Sequence, residues 1–336
     1  MTAAHDYDAE AELARFHESR AGVRGLVESG VTASLTSASR RFFHVTNHRV
    51  PAGVVGAAVA AARAFHEQPL AARSALYSPD PAVGSVAYST IPITQQRRHG
   101  VDAAPTLPWR DSLRVRFGPG EPELGGLPAR CRDALQVYQR VLKGFGEEMA
   151  GLLSEALGVG AARLEQELQV RGWLMACHYY PPCPEPTRVV GSLEHTDPGV
   201  FTVLAQDAVG GLQVKYHDGG GDGGDGDGGV WVDVVPVAGA LLVNIGDFLK
   251  VVSNDEYKSV EHRVVIRSKQ NARVSIAVFF NPAKRGDSDR FGPLPELVTA
   301  ERPAEYGNFT FFEFMNSRRK LGHSRSSIQC LKVSSN

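Results

Sequence analysis

The stretch SLEHTDPGVFTVLAQD, residues 192–207, places two polar side chains within a run of strand-forming residues. His195 and Asp197 are two positions apart, and alternate residues of a β-strand share a face, so these side chains point to the same side. Buried polar groups without a partner are costly. The pair therefore requires either hydrogen-bonding neighbours or a metal ion.

The sequence around this stretch predicts a β-rich second half. From about Val170, short runs of β-branched and aromatic residues recur, separated by Pro, Gly or Asn-Asp clusters. These runs are WLMACHYY, FTVLAQD, LQVKYHD, VWVDVVP, ALLVNIGD, SVEHRVVI and ARVSIAVFF. Most of them lack a helix-sized spacer between them, which favours an antiparallel jelly roll over a parallel sheet with crossover helices.

The first half is predicted to be mainly helical. Residues 54–76 have helix-forming composition, and Pro69 is expected to end or kink that helix. A second helix is predicted from about Leu127 to Leu157, where apolar residues recur at helical spacing. The Pro-rich segment from Tyr77 to Pro108 is predicted to be a loop or lid. The expected fold class is α+β and mainly β, a double-stranded β-helix (jelly roll) core with flanking N-terminal helices.

Composition excludes several classes of function. The 336 residues include 36 Lys and Arg against 37 Asp and Glu, so no overall charge favours nucleic acid or an anionic membrane. The four cysteines form no CxxC pair, which fits a reducing compartment. The N-terminal residues lack an apolar signal core, and no run is apolar enough to span a bilayer. We expect a cytoplasmic, monomeric protein.

A low-complexity segment, GGGDGGDGDGG, occupies residues 219–229. Its glycines and aspartates offer no apolar side chain for a core. A calcium loop is an alternative, but the flanking helices and the closing Glu of an EF-hand are missing from the sequence. We interpret the segment as an expanded hairpin loop.

A third ligand candidate strengthens the case for a metal. His262 lies in KSVEHRVV, on a different predicted strand. Two imidazoles and one carboxylate from separate strands can bind one face of a metal ion and leave the opposite face open, as in non-haem Fe(II) oxygenases. A catalytic zinc site accepts the same ligands, so the triad alone does not identify the metal.

A predicted anion site follows in NARVSIAVFF. Arg273 and Ser275 are two positions apart on one strand face, and their apolar neighbours indicate burial. A buried guanidinium needs an anionic partner, which is either an internal aspartate or a bound carboxylate. Beside a metal triad, a dicarboxylate co-substrate explains the pair better, because Arg can bind a carboxylate through two hydrogen bonds.

Together, HTD, EHR, RVS and the upstream HYYPPCPEP resemble the motifs of the plant 2-oxoglutarate- and Fe(II)-dependent dioxygenases. The similarity includes the aminocyclopropane-carboxylate oxidase homologues. Within that group, GVRGLVESGV, PPCPEP and VGGLQV are most similar to the grass benzoxazinoid-glucoside dioxygenases. The resemblance extends from about Arg41 to Pro282.

The resemblance implies roles for individual residues. Fe(II) would be held by His195, Asp197 and His262, with no catalytic residue beyond these ligands. The co-substrate 2-oxoglutarate would be bound by Arg273, Ser275 and Tyr180.

Other positions match the family less completely. His178 stands where the family usually has asparagine. Phe279 lies where relatives often place an aromatic ring against the organic substrate, although an ordinary core role is an equal alternative. Trp109, Arg110 and Asp111 resemble a WRD segment that usually supports the pocket.

The resemblance also implies the reaction. The protein would hydroxylate a specialised plant small molecule with dioxygen, releasing succinate and CO2. One alternative is an aminocyclopropane-carboxylate-oxidase-like enzyme that uses ascorbate. Another is an inactive, truncated relative that only binds small molecules.

The chain departs from the family near its start. The strand that normally precedes FFHVTNHGV is missing from the sequence near residues 31–39, and Arg49 replaces the usual glycine. If that turn needs a positive φ, arginine is strained there. We predict a helical, shortened N-terminal region at 1–168, a jelly-roll domain at 169–284 and a partly disordered C-terminal extension at 285–336.

Overall fold

A computed structural model describes residues 41–78, 84–90, 108–118, 122–216, 229–321 and 325–333. They form two antiparallel sheets with helices packed on the outer side of the larger one. The strands are β1 (Phe42–Val45), β2 (Val86–Ser89), β3 (Asp111–Arg116), β4 (Val170–Tyr180), β5 (Val190–His195), β6 (Phe201–Gln206), β7 (Leu212–Tyr216), β8 (Val230–Asp233), β9 (Leu241–Ile245), β10 (His262–Val265), β11 (Arg273–Pro282), β12 (Arg290–Phe291) and β13 (Phe309–Thr310).

Within the described residues, the larger sheet has the strand order β1-β9-β6-β11-β4-β3-β2, and the smaller has β5-β10-β7-β8. Neighbouring strands in both sheets are antiparallel. A third, two-stranded sheet pairs β12 with β13. The predicted jelly roll is confirmed, and each of the seven predicted β-rich runs contains a strand.

The helices are α1 (Ala52–His66), α2 (Leu70–Ser74), α3 (Ala129–Ala156), α4 (Arg163–Leu168), α5 (Asp247–Val252) and α6 (Phe311–Leu321), and 3-10 turns occur at Pro186–Arg188, Pro295–Leu297 and Arg325–Leu331. Pro69 separates α1 from α2, as predicted. The residues that predicted the second long helix form the buried stripe of α3: Leu135, Tyr138, Leu142, Phe145 and Met149.

Strand β11 shows how the core and the cavity are separated. Its residues Val274, Ile276, Val278 and Phe280 belong to the hydrophobic core between the larger sheet and helices α1 and α3. The alternate residues, from Arg273 to Phe279, line a cavity on the opposite face. This period of two directs a continuous apolar face to the helices and places Arg273 and Ser275 in the interior of the jelly roll.

The predicted loop from Tyr77 to Pro108 needs a correction. It contains the four-residue strand β2, which pairs with β3 at the edge of the larger sheet. Such a short edge strand has too few residues to reveal alternation in the sequence. Residues 79–83 and 91–107 lie outside the described part, and so does the predicted Gly/Asp loop except for its last residue.

The predicted domain division stays a prediction, because the shortened N-terminal segment lies outside the described residues. Three strands of the predicted helical region, β1, β2 and β3, nevertheless join the larger jelly-roll sheet.

None of the helices that the structure describes is long and apolar enough to cross a membrane.

The described part of the C-terminal extension is folded, and the predicted partial disorder of the extension stays a prediction. Phe248 of α5 makes edge-to-face contacts with Phe291, Phe309 and Phe314, which join the short third sheet and α6 to the core. Arg318, one of the basic residues of the extension, is buried. Aromatic burial therefore outweighs the polar composition that suggested disorder.

Arg49 has the predicted strained backbone, with φ of 56°. It is exposed, so its side chain gains little from packing to offset the cost of the left-handed conformation. We expect Arg49→Gly to raise the free energy of unfolding by roughly 0.5–1 kcal/mol, since glycine relieves the strain but adds entropy to the unfolded chain. Urea denaturation measures this change. Arg49→Ala, which keeps the strain and removes the charge, should give no gain; an equal gain in both variants would contradict the explanation.

Candidate metal centre and its cavity

The three predicted metal ligands meet where the ends of two strands lie side by side. His195 ends β5, His262 begins β10, and the two residues are paired across the smaller sheet. Asp197 follows β5 by two residues and is 4% exposed. The pairing brings residues far apart in sequence to one point.

The geometry of these side chains suits a metal ion. Asp197 Oδ1 lies 3.8 Å from Nε2 of His195 and 3.8 Å from Nε2 of His262. One ligand atom from each of the three residues lies within 4.8 Å of the other two. Within the part of the chain that the structure describes, this is the one group of its kind. An ion between these atoms would have two nitrogen ligands and one oxygen ligand on the same side.

Hydrogen bonds orient all three side chains. His195 Nδ1 lies 2.8 Å from the Leu193 carbonyl, and His262 Nδ1 lies 3.2 Å from the Val260 carbonyl. A carbonyl oxygen only accepts, so each Nδ1 carries the proton and each Nε2 presents its lone pair. The donor atoms are therefore arranged for a cation.

The Asp197 carboxylate is held by the larger sheet. Its Oδ2 accepts hydrogen bonds from Thr202 Oγ1 at 2.6 Å and from Asn244 Nδ2 at 2.8 Å. These donors are opposite each other on β6 and β9. Sequence reasoning missed both residues, although each is a polar residue in an otherwise apolar strand, which is a usable signal.

Protonation also favours metal binding. Burial, followed by the neighbouring His262, lowers the pKa of His195 to about 3, although Asp197 opposes this shift. Burial tends to raise the pKa of Asp197, but the two imidazoles and the hydrogen bonds from Thr202 and Asn244 outweigh it and lower the pKa overall. At neutral pH, His195 is a neutral ligand and Asp197 an anionic one.

The predicted anion site faces the same cavity. Arg273 donates through Nη1 to Ser275 Oγ and through Nη2 to Gln206 Oε1, each at 2.9 Å. Its guanidinium carbon lies 4.9 Å from the ring centre of Tyr180. Arg273 is 4% exposed, and its buried Nε has no hydrogen-bond partner. Gln206 was not predicted.

The internal salt bridge considered for Arg273 is not found among the described residues. Asp207, which accepts a hydrogen bond from the neighbouring Val274 N–H, pairs instead with Arg63 at 3.0 Å. The guanidinium is therefore oriented by neutral groups and has no paired carboxylate. Such a buried cation fits an anionic ligand.

The remaining predicted residues are distributed around the cavity. His178 and Phe279 both line it. The Nδ1 atom of His178 lies 2.9 Å from Ser112 Oγ. Trp109 Nε1 donates to the Pro181 carbonyl at 3.0 Å, outside the cavity.

The two other residues of the WRD segment point to opposite faces of the sheet. Asp111 accepts a hydrogen bond from Tyr88 Oη at 3.0 Å and pairs with Arg73 at 3.5 Å. Arg110 lines the cavity, where it was expected only to support the pocket.

A buried ion pair supports the metal centre from the C-terminal side. Arg318 of α6 pairs with Asp247 of α5, and both side chains are 1% exposed. Arg318 Nη2 also donates to the Thr196 carbonyl at 2.7 Å, and Thr196 Oγ1 donates to Asp247 Oδ2 at 2.9 Å. Thr196 lies between two candidate ligands, so α5 and α6 fix the backbone that carries them.

Comparison with known proteins agrees with this geometry. The model of the 2OG-Fe(II) oxygenase superfamily matches residues 173–282. The Arabidopsis thaliana protein 1-aminocyclopropane-1-carboxylate oxidase homolog 12 is 38% identical over 81% of this chain and 70% of its own length. Homolog 4 from the same plant is 33% identical over 91% of this chain and 93% of its own length.

Solved structures of plant dioxygenases are also similar to this chain. JOX2, determined in complex with 2OG, Fe and JA, has a TM-score of 0.75 and 27% identity, covering 92% of this chain and 87% of its own. The rice dioxygenase for auxin oxidation has a TM-score of 0.69 and 25% identity, covering 92% of this chain and 95% of its own.

Thr202 provides a test of how Asp197 is held. We expect Thr202→Val to weaken Mn(II) binding about ten- to hundredfold, because the carboxylate loses one of its two supporting donors. His195→Ala, which removes a ligand, should abolish binding. Titration with Mn(II), followed by the electron paramagnetic resonance signal of the free ion, measures both effects. Thr299→Val, at an exposed threonine, is the control. Equal affinity in Thr202→Val and the unchanged protein would contradict this support role.

Proposed function

The chain belongs to the 2OG-Fe(II) oxygenase superfamily, among the 1-aminocyclopropane-1-carboxylate oxidase homologues, and from this we propose that it hydroxylates a small molecule of plant specialised metabolism. It is a non-haem iron dioxygenase, with Fe(II) as cofactor and 2-oxoglutarate as co-substrate. The proposed reaction consumes dioxygen and releases succinate and CO2.

One observation carries the proposed assignment of residues. The triad of His195, Asp197 and His262 and the pair of Arg273 and Ser275 line a single cavity. The triad would hold Fe(II), which supplies the dioxygen chemistry that amino-acid side chains lack. The arginine and serine would bind the distal carboxylate of 2-oxoglutarate.

The side chains around Arg273 set its position before any ligand arrives. Gln206 and Ser275 each accept one of its hydrogen bonds, and Tyr180 lies beside the guanidinium. A pre-oriented guanidinium loses less conformational freedom on binding, which favours a carboxylate that accepts two parallel hydrogen bonds. This cradle supports 2-oxoglutarate over ascorbate, which lacks a carboxylate. Ascorbate use stays the alternative for a protein that forms no 2-oxoglutarate complex.

The organic substrate would enter the same cavity, with Phe279 among its contacts. JOX2 was crystallised with JA, and the rice relative is a dioxygenase for auxin oxidation. We propose a substrate of comparable, small size. The aromatic or glycosidic substrate implied by the benzoxazinoid resemblance stays a prediction.

The decisive experiment is an anaerobic titration of the apo-protein with Fe(II) and 2-oxoglutarate. A visible metal-to-ligand charge-transfer band should form, because the keto acid binds the metal directly. The band should be lost in His262→Ala. A folded protein without the band, or a band that survives His262→Ala, would contradict the proposal. A band without substrate-dependent succinate formation would identify an inactive binder.

Arg273 is tested separately from the metal. We expect Arg273→Leu to retain Mn(II) and to raise the Kd for 2-oxoglutarate by roughly a hundredfold, which corresponds to the loss of about 3 kcal/mol of charged hydrogen bonding. Isothermal titration calorimetry measures both ligands. Arg171→Leu is the matched control, because this arginine of β4 pairs with Glu165 away from the cavity. Unchanged 2-oxoglutarate affinity in Arg273→Leu would exclude the assigned role.

A further inference from the structure

A second group of arginines lies on the cavity side of the larger sheet. In β3, Leu113 and Val115 are fully buried in the core beneath the helices. Ser112 and Arg114 alternate with them and therefore face the other side. Their partners on β4 are His178 and Ala176.

Arg110, directly before β3, is buried at the cavity wall. It is 7% exposed and lines the cavity together with the candidate metal ligands. Its Nη1 donates to Ser192 Oγ at 3.2 Å, across to the smaller sheet. Its Nε is buried without a hydrogen-bond partner. The guanidinium thus has donor capacity that no described protein group uses.

Arg114 lies on the same side of the larger sheet as Arg110, outside the lining of the cavity. Its Nη1 donates to Ser89 Oγ at 2.9 Å. Burial and then the charge of Arg110 lower the pKa of Arg114 to about 10, so the two guanidinium groups are close enough to repel each other. Arg114 therefore remains charged at neutral pH.

Among the described residues, no neighbouring group compensates these charges. His178 is neutral, since burial followed by the charges of Arg110, Arg114 and Arg273 holds its pKa well below the usual range. Asp111 points to the opposite face of β3, toward Arg73. In the described part of the chain, neither Arg110 nor Arg114 forms an ion pair.

Two desolvated cations without a counter-ion are costly, and a bound anion removes that cost. One 2-oxoglutarate molecule does not satisfy both arginine sites, because its distal carboxylate is assigned to Arg273 and its other end to the metal. Arg110 and the candidate metal ligands line the same cavity. An anion held by Arg110 would therefore position an organic molecule near the reacting atoms.

We propose that Arg110 binds the carboxylate of the organic substrate, that the positive charge of Arg114 on the same face of the sheet adds to the attraction, and that the substrate is a small organic acid. This inference rests on the proposed function and narrows its substrate class. Arg110 holds the acid group while the apolar wall that includes Leu204 and Phe279 contacts the rest of the molecule.

The test uses protein saturated with Mn(II) and N-oxalylglycine, an unreactive analogue that occupies the 2-oxoglutarate site. Three acids are compared with their uncharged amides by calorimetry: phenylacetate with phenylacetamide, indole-3-acetate with indole-3-acetamide, and hexanoate with hexanamide. At least one acid should bind tenfold or more tightly than its amide. Arg110→Met should remove this preference, Arg114→Met should reduce it, and Arg110→Lys should keep part of it. Arg171→Met, at the surface pair with Glu165, should bind like the unchanged protein.

Either of two results would overturn the inference without requiring any variant to fold. The first is equal binding of acids and amides to the unchanged protein. The second is that none of the acids binds to it at millimolar concentration. A preference that persists unchanged in folded Arg110→Met would overturn it as well. Failure of the unchanged protein to bind N-oxalylglycine would instead refute the proposed function. The two failures are thus distinguishable.

Discussion

The carboxylate of Asp197 connects the two sheets of the jelly roll. One of its oxygens accepts hydrogen bonds from Thr202 and Asn244 of the larger sheet, and the other faces His195 and His262 of the smaller one. The buried carboxylate would be strongly destabilising without these donors. The hydrogen bonds to Oδ2 hold Oδ1 in a defined direction toward the two histidines. The pairing of the strands and the geometry of the candidate metal site therefore depend on the same few contacts.

The cavity has an uneven distribution of charge. Apart from Asp197, its charged lining consists of arginines, and His178 stays neutral because those arginines and its own burial suppress protonation. Within such a low-dielectric space, each guanidinium favours an anion more strongly than it would in water. The arginines therefore make the cavity more favourable for anions than for neutral or cationic molecules of the same shape.

The sequence predicted the features that depend on local spacing. Alternation identified the jelly-roll strands, and the helical repeat identified α3. The family motif that precedes α1 predicted the strained backbone of Arg49. The ligand triad and Arg273 could be recognised because each lies in a short motif. These features require only the periodicity of one element, or a few consecutive residues.

Features that depend on contacts between distant segments were not predicted. Strand β2 is stabilised by its partner β3 rather than by its own four residues. Arg318 belongs to a basic stretch that resembles a solvated tail, and its role depends on Asp247, which precedes it by 71 residues. Arg110 likewise acquires its significance from Ser192 and from the lack of an acidic neighbour among the described residues. Such relations arise only when the chain is folded.

The ion pair of Arg318 and Asp247 links the candidate metal centre to the docking of helix α6. If α6 undocked by local unfolding, Asp247 would lose its buried cation and the carbonyl of Thr196 would lose a donor. Local openings of this kind need less free energy than global unfolding. Undocking of α6 would therefore also loosen the backbone that carries the candidate metal ligands, and hydrogen exchange in α6 and in the residues around Thr196 would follow the same opening event.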